Sequence, residues 1–290
     1  MIDCYERGLF ADGIMRICPE LIEGFRALWS ALVVTKHQCL LSLPFYHMGS
    51  EPFWVLLARP GYAVRLEDKS AMRSLRQLSA ACVGARIAPD LHVLLGNTAF
   101  REEARAVLLS TYLGVGPTAV AGLDVEDALA GLVREFCAED AEAYTSRLRD
   151  LKRRVSRAAF EEEVVVRHAL FSREVRRLYG DRCAVSKSVV FAPDAGVMVN
   201  ACHIVPFADS MDDRLVNGIA FSPTIHRAFD LGLIGVDDDY QVVVHGALRE
   251  DGDSAFCLSQ FAGERIVLPE DVRFFPSPKG FALHRERFGL

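Results

Sequence analysis

One stretch of this chain can fold in very few ways. Val197-Met198-Val199 is apolar and rich in β-branched residues, which predicts a strand. It runs into Asn200-Ala201-Cys202-His203-Ile204-Val205-Pro206. Asn217-Gly218 precedes a second short apolar run, Ile219-Ala220-Phe221, which also reads as a strand. Ser222-Pro223 then opens a helix, with Ser222 as N-cap and Pro223 at the first helical position, where its missing N–H costs nothing. Gly232 ends that helix. Strand, loop, strand and helix in so short a span leave little besides a small ββα unit. It carries His203, Asn217 and His226 in that order.

That order on those elements resembles the ββα-metal fold of HNH nucleases. The resemblance implies metal-dependent hydrolysis of phosphodiester bonds, with His203 as general base. A neutral imidazole with an unperturbed pKa of about 6.5 suits that task. It further implies that His226 holds a divalent metal ion (Mg²⁺, Mn²⁺, Co²⁺ or Ni²⁺). Asn217 would tie the intervening loop together and orient His203 through side-chain to backbone hydrogen bonds. Many family members place an acidic metal ligand just before the base; here the position is Cys202. A thiolate there would favour a softer ion, but Cys202 reads more readily as a small core residue on the strand. Asp230 lies four residues after His226, so on a helix the two share a face. It is either a second ligand or a local cap at the helix end.

Upstream, Phe171-Ser172-Arg173-Glu174-Val175-Arg176-Arg177-Leu178-Tyr179 has helical spacing, and Gly180 ends it. Arg182-Cys183-Ala184-Val185-Ser186 reads as a strand entering the HNH unit. Many HNH proteins carry Cys-x-x-Cys here and bind a structural zinc. This chain has Cys183-Ala184-Val185-Ser186, and none of its 8 cysteines forms such a pair, so no structural zinc is expected.

Scattered cysteines favour a reducing compartment. Met1 to Glu6 lacks the basic start and apolar run of a signal peptide, and no apolar stretch is long enough for a transmembrane helix. A cytoplasmic protein with no membrane partner is therefore expected. The net charge of −6 argues at first against a nucleic-acid partner, but distribution matters more than the sum. Arg147, Arg149, Lys152, Arg153, Arg154 and Arg157 cluster, and Arg173, Arg176, Arg177 and Arg182 follow, while acids concentrate in Asp124 to Glu142 and Asp237 to Asp239. Such runs are usually solvated helix faces. Beside a nuclease resemblance, Arg153, Arg154, Arg176 and Arg177 are expected to meet double-stranded DNA, because phosphate contacts supply most of the affinity for DNA.

At 290 residues, 51% hydrophobic and 25% charged, the chain has room for two globular domains. The expected architecture is α+β. A mainly helical DNA-reading domain spans 1–137, a helical linker rich in Ala, Glu and Arg spans 138–164, and the ββα-metal domain spans 165–290. Leu233 to Val244 reads as a hairpin with an acidic turn at Asp237-Asp238-Asp239.

In the first domain, Glu23 to Val34 has amphipathic spacing that turns Phe25, Leu28, Trp29 and Leu32 inward. Leu43-Pro44-Phe45-Tyr46-His47, Phe53-Trp54, Arg86-Ile87-Ala88-Pro89 and a helix from Thr98 to Tyr112 follow. This order, from about 22 to 115, resembles the sulfur-binding domain ahead of the HNH unit in phosphorothioate-dependent restriction endonucleases. A plain helical domain with aromatic core residues is the other reading. The resemblance implies a pocket at Pro89 and Ala88 for the sulfur, with His47 and Arg86 on the DNA. Sulfur is larger and a poorer acceptor than oxygen, so an apolar pocket accepts it and penalises an unpaired oxygen. Pro89 also suits the first position of an ordinary helix. The expectation is a restriction enzyme that binds phosphorothioated duplex DNA and cuts nearby, most simply as a homodimer. The alternatives are an HNH nuclease reading another modification or sequence, and a catalytically inactive DNA-binding regulator with an HNH fold.

Overall fold

The computed structural model describes residues 1–10, 12–62, 74–120, 122–138, 140–192, 196–251 and 256–290. The elements are of mixed α+β type and divide into two compact units. One comprises Met1–Gly131 with Lys152–Val166, the other Leu132–Leu151 with Arg167–Leu290.

The first unit starts with α1 (Ile2–Glu6), β1 (Ile14–Arg16) and α2 (Pro19–Leu32). α3 (Ser42–His47), β2 (Trp54–Ala58), α4 (Leu75–Ala81), β3 (Cys82–Ile87), α5 (Pro89–Leu95) and α6 (Thr98–Leu108) follow. The strands form an antiparallel sheet in the order β1-β3-β2. Gly84 of β3 makes this possible, because a Cβ there would lie 2.2 Å from the Met15 carbonyl oxygen of the neighbouring strand. Trp54 is buried against Phe45, edge to face at 5.0 Å, and its indole N–H donates to the Phe45 carbonyl at 3.0 Å. The aromatic cluster is thus core, and its polar handle is satisfied.

Helix α2 turns its expected face inward but buries it unevenly. Its buried residues are Pro19, Leu21, Ile22 and Gly24, while Phe25, Leu28, Trp29 and Leu32 are half-buried. Leu28 and Leu32 instead line an apolar cavity of about 460 Å³ together with Leu91, Leu95 and Leu108. Leu21, Phe25, Leu28 and Leu32 follow one another at three- and four-residue spacing and share one face, which is buried at its N-terminal end and half-covered toward its C-terminal end.

α7 (Val125–Phe136), α8 (Ala141–Arg154) and α9 (Arg157–Leu178) come next. The segment 138–164 thus contains α8 and the start of α9, and its residues divide between the two units. Within the second unit, Arg167 is buried. It donates to the Tyr144 hydroxyl at 3.0 Å and to the Glu135 carboxylate at 2.6 Å, joining α9 to α8 and α7.

The rest of the second unit is built from small antiparallel pairs. β4 (Phe191–Ala192) pairs with β5 (Gly196–Val197), and β6 (Asn200–His203) is followed by α10 (Phe207–Ser210). β7 (Gly218–Phe221) pairs with β6 in the register Asn200↔Phe221 to His203↔Gly218, and α11 (Pro223–Asp230) follows. β8 (Ile234–Val236) and β9 (Val242–Val244) form the expected hairpin, and α12 (Pro278–Phe288) closes the unit. In the hairpin turn Asp237 accepts from the backbone N–H groups of Asp239 and Gln241, an Asx-type closure.

Two local expectations are corrected. The strand leading to the histidine is Asn200–His203 itself; Met198 and Val199 lie between strands, because Val197 pairs with Phe191 of β4 instead. Arg182 to Ser186 is a turn rather than a strand. The Lys187 N–H donates to the Cys183 carbonyl at 3.0 Å, and the Ser186 N–H reaches the Cys183 sulfur at 3.4 Å. These local bonds compete successfully with a ladder. All 8 cysteines are free.

Candidate active site

β6, β7 and α11 bring the motif residues together. Ser222 precedes α11 with extended backbone and Pro223 takes its first turn. His226 therefore points back toward the sheet from the next turn, and Asp230 follows one turn later. His226 Nε2 and Asp230 Oδ2 are 3.6 Å apart. Cys202 sits on β6, with its side chain directed to the same place. One donor atom from each of Cys202, His226 and Asp230 lies within 4.8 Å of the others.

The three donors differ in exposure: Cys202 is buried, His226 half-buried and Asp230 exposed. Burial first, then the charge of Asp230, holds the Cys202 thiol well above its ordinary pKa. The thiol alone is therefore protonated at neutral pH and would give up its proton only to a cation bound beside it. A thiolate, an imidazole and a carboxylate are a donor set that fits a borderline transition-metal ion better than Mg²⁺.

His203 is the last residue of β6. Its ring stacks on Phe171 of α9 at 4.0 Å and 6°, and His168 lies beyond at 6.2 Å. Nε2 is buried and has no hydrogen-bond partner among the described residues. Burial, reinforced by His168 and opposed by Asp212, pulls the imidazole down to about 4. The ring is thus neutral at pH 7, the protonation state a base requires.

Asn217 is buried and uses its whole amide. Oδ1 accepts from the Val205 N–H at 2.9 Å, while Nδ2 donates to the carbonyls of Val205 at 2.9 Å and Asp212 at 2.8 Å. The Ile204 N–H donates to the Asn217 carbonyl at 2.9 Å. Both ends of the loop between β6 and β7 are therefore clamped beside His203. Next to it, Gly218 is required by close approach. A Cβ there would lie 2.4 Å from Val175 and 2.9 Å from Phe171, the residue on which His203 stacks.

The remaining predicted positions lie elsewhere on the chain. Arg176 is half-buried and bonds the Ser172 carbonyl, whereas Arg177 is 82% exposed with Glu174 at 3.5 Å. Arg153 and Arg154 are exposed at the end of α8. In the first unit His47, Arg86 and Pro89 are exposed and Ala88 is half-buried. Ala88 is the N-cap residue of α5 and Pro89 its first residue. The apolar cavity of that unit is lined by Phe53, Leu91 and Leu95 and by neither Ala88 nor Pro89.

Sequence reasoning missed three contributors. Phe171 and His168 come from α9, and His284 of α12 stacks on Phe229 at 3.7 Å while its Nε2 meets the Phe229 carbonyl at 2.9 Å.

A two-stranded sheet and a helix presenting His203, Asn217 and His226 define an endonuclease domain of the HNH class. Residues 183–237 match the family model described as HNH endonuclease. Those residues thus form an HNH endonuclease domain; nucleases of that kind generally depend on a divalent metal ion. Among solved structures, one described as a modification dependent TagI restriction endonuclease aligns with 43% of this chain at 22% identity and a TM-score of 0.35. The chain spans 39% of that protein's length. No curated protein matches the chain. Among the described residues, no single helix is long and apolar enough to cross a membrane.

Proposed function

We propose that the protein is a restriction endonuclease that hydrolyses phosphodiester bonds of double-stranded DNA close to a phosphorothioate. The observation that carries the nuclease half is the grouping of Cys202, His226 and Asp230 on one side of β6 and a neutral His203 at its end. With Nε2 turned into the protein, Nδ1 of His203 is the nitrogen that takes the proton from the attacking water. The water oxygen bonds to phosphorus, the bond to the 3′ oxygen breaks, and that oxygen leaves with the electron pair. His226, Asp230 and Cys202 would hold the divalent ion, which supplies Lewis-acid stabilisation of the charge building on the phosphoryl and leaving oxygens. Asn217 fixes the loop so that the base stays in line.

The sulfur-reading half rests on the order of elements in the first unit and on the accessibility of His47, Arg86 and Pro89. Ala88 and Pro89 supply apolar contact to sulfur at the start of α5, while the Arg86 guanidinium and the His47 imidazole approach the flanking phosphates. The basic residues Arg153, Arg154 and Arg177 add contacts that carry no sequence information.

The direct experiment is cleavage of duplex DNA by the His203→Ala protein. Its rate should fall at least ~100-fold, the usual scale for a general base, with DNA affinity nearly unchanged. Retained cleavage by a folded variant rules out the base assignment.

A further inference from the structure

Beside the motif residues lies a cavity of about 370 Å³. His203 and Asp230 line it together with the apolar side chains of Pro206, Leu283 and Phe288 and with Arg287 of α12. This is the size and mixture of a ligand site rather than of a packing fault. The Arg287 guanidinium is 56% exposed and donates from Nη1 to Asp209 Oδ2 at 2.8 Å; Asp209 is itself 55% exposed.

The helix beneath that guanidinium is firmly seated. A Cβ on Gly232, which has φ +68°, would fall 2.3 Å from Phe288, so the Phe288 ring lies directly over the turn that ends α11. His284, one helical turn before, is locked on Phe229. The backbone that carries Arg287 is therefore fixed relative to Asp230 and His203, while its charged end remains free to change partner. An exposed Arg–Asp pair is weak, whereas a phosphate offers the guanidinium two oxygens at once.

We infer that this cavity is the subsite for the nucleotide flanking the cleaved bond. Arg287 binds a phosphate of the cleaved strand, the apolar wall lies along the adjoining deoxyribose, and Asp209 holds the guanidinium until DNA displaces it. The inference deepens the reading of His203 as the base of a DNA nuclease and rests on it.

The test uses the full-length protein carrying His203→Ala, so that binding is measured without cleavage. Affinity for a short duplex is titrated against NaCl. Adding Arg287→Ala should lower the slope of log affinity against log salt by about one, and Arg287→Lys should keep it. Asp209→Asn removes the competing carboxylate and should tighten binding by roughly 2- to 5-fold. In the otherwise unaltered protein, Arg287→Ala should slow cleavage by roughly tenfold or more, with an unchanged thermal melt. An unchanged slope in Arg287→Ala, in a protein whose parent cuts DNA, overturns the inference alone. A reduced slope with no cleavage by the parent keeps Arg287 as a phosphate contact and sinks the base assignment of His203.

Discussion

Cys202 is the residue whose chemistry departs furthest from a hard-metal site. It is buried, its thiol is held protonated by burial and by Asp230, and its sulfur faces His226 and Asp230. If it ligates, EDTA should stop cleavage, and Mn²⁺, Co²⁺ or Ni²⁺ should restore it at least as well as Mg²⁺. Cys202→Ala should then weaken the apparent affinity for the restoring ion by at least ~10-fold, since even groups that only orient ligands cost that much. Metal titrations of the cleavage rate decide this: equal midpoints for parent and variant would leave Cys202 as core. The placement of His203, Asn217 and His226 on adjoining elements was legible in the sequence because all three lie within one short supersecondary unit, where spacing fixes placement. Arg287 and Phe171 were not, because they arrive from helices remote in sequence and nothing local marks their approach. The one available signal was Ser277-Pro278, which repeats the helix-opening pair Ser222-Pro223 and announces α12; Ser277 does cap it, accepting from the Gly280 N–H.

The loop between β6 and β7 shows how an element is held by its polar interior. Asp212 caps it by taking the Arg214 guanidinium in two bonds, at 2.9 and 2.8 Å, while Asn217 binds its ends. Asp213 is the exception. It is buried, Oδ1 has no hydrogen-bond partner among the described residues, and the nearest guanidinium nitrogen, Arg167 Nη1 at 4.0 Å, donates to the Tyr144 hydroxyl. Burial raises this carboxyl to about 7. The unfolded carboxyl titrates near its ordinary 3.8, so the folded state binds the extra proton. The penalty is absent below pH 4, grows as pH rises through the interval from about 4 to 7, and is complete above it. Asp213→Asn removes the penalty. It should gain stability over the parent by up to about 4 kcal/mol at pH 8 and by little at pH 4, read from urea midpoints at both values. A gain independent of pH would contradict a penalty that arises from burying the ionised carboxylate. The pattern also explains why the Arg182 to Ser186 strand failed as an expectation. β-branched and apolar content alone cannot register a turn closed by a sulfur and a carbonyl of the same residue, Cys183.

For the whole molecule, one HNH site provides one base and one metal position, and so cuts one strand. A double-strand break most simply takes two copies about a two-fold axis, which would also present two reading units to a duplex modified on both strands. Matched duplexes with and without one phosphorothioate should therefore differ in affinity. Pro89→Gly should erase most of that difference, while binding to the ordinary duplex stays close to its starting value. Gel shifts with both duplexes measure this; equal binding by the unaltered protein would discard sulfur reading and leave the endonuclease intact. A Gly- and Pro-free run of Ala, Glu and Arg predicts helices over 138–164 well, but helix-forming composition says nothing of which core each turn joins. That is set by buried groups such as Arg167 and Glu162, which accepts from the Leu41 N–H in the first unit.

The contact between Gly218 and α9 bears on how this nuclease could be cut out and reused. The stretch that carries the family's sequence pattern begins at 183 and stops at 237, yet His203 rests on Phe171, Gly218 is fitted against Val175, and Phe229 is covered by His284. A fragment trimmed to the recognisable motif would expose three apolar faces and lose the floor under its base. Fusion or grafting of the catalytic part must therefore carry α9 and α12 along with it, and the boundaries of the transferable piece are set by packing well outside the motif.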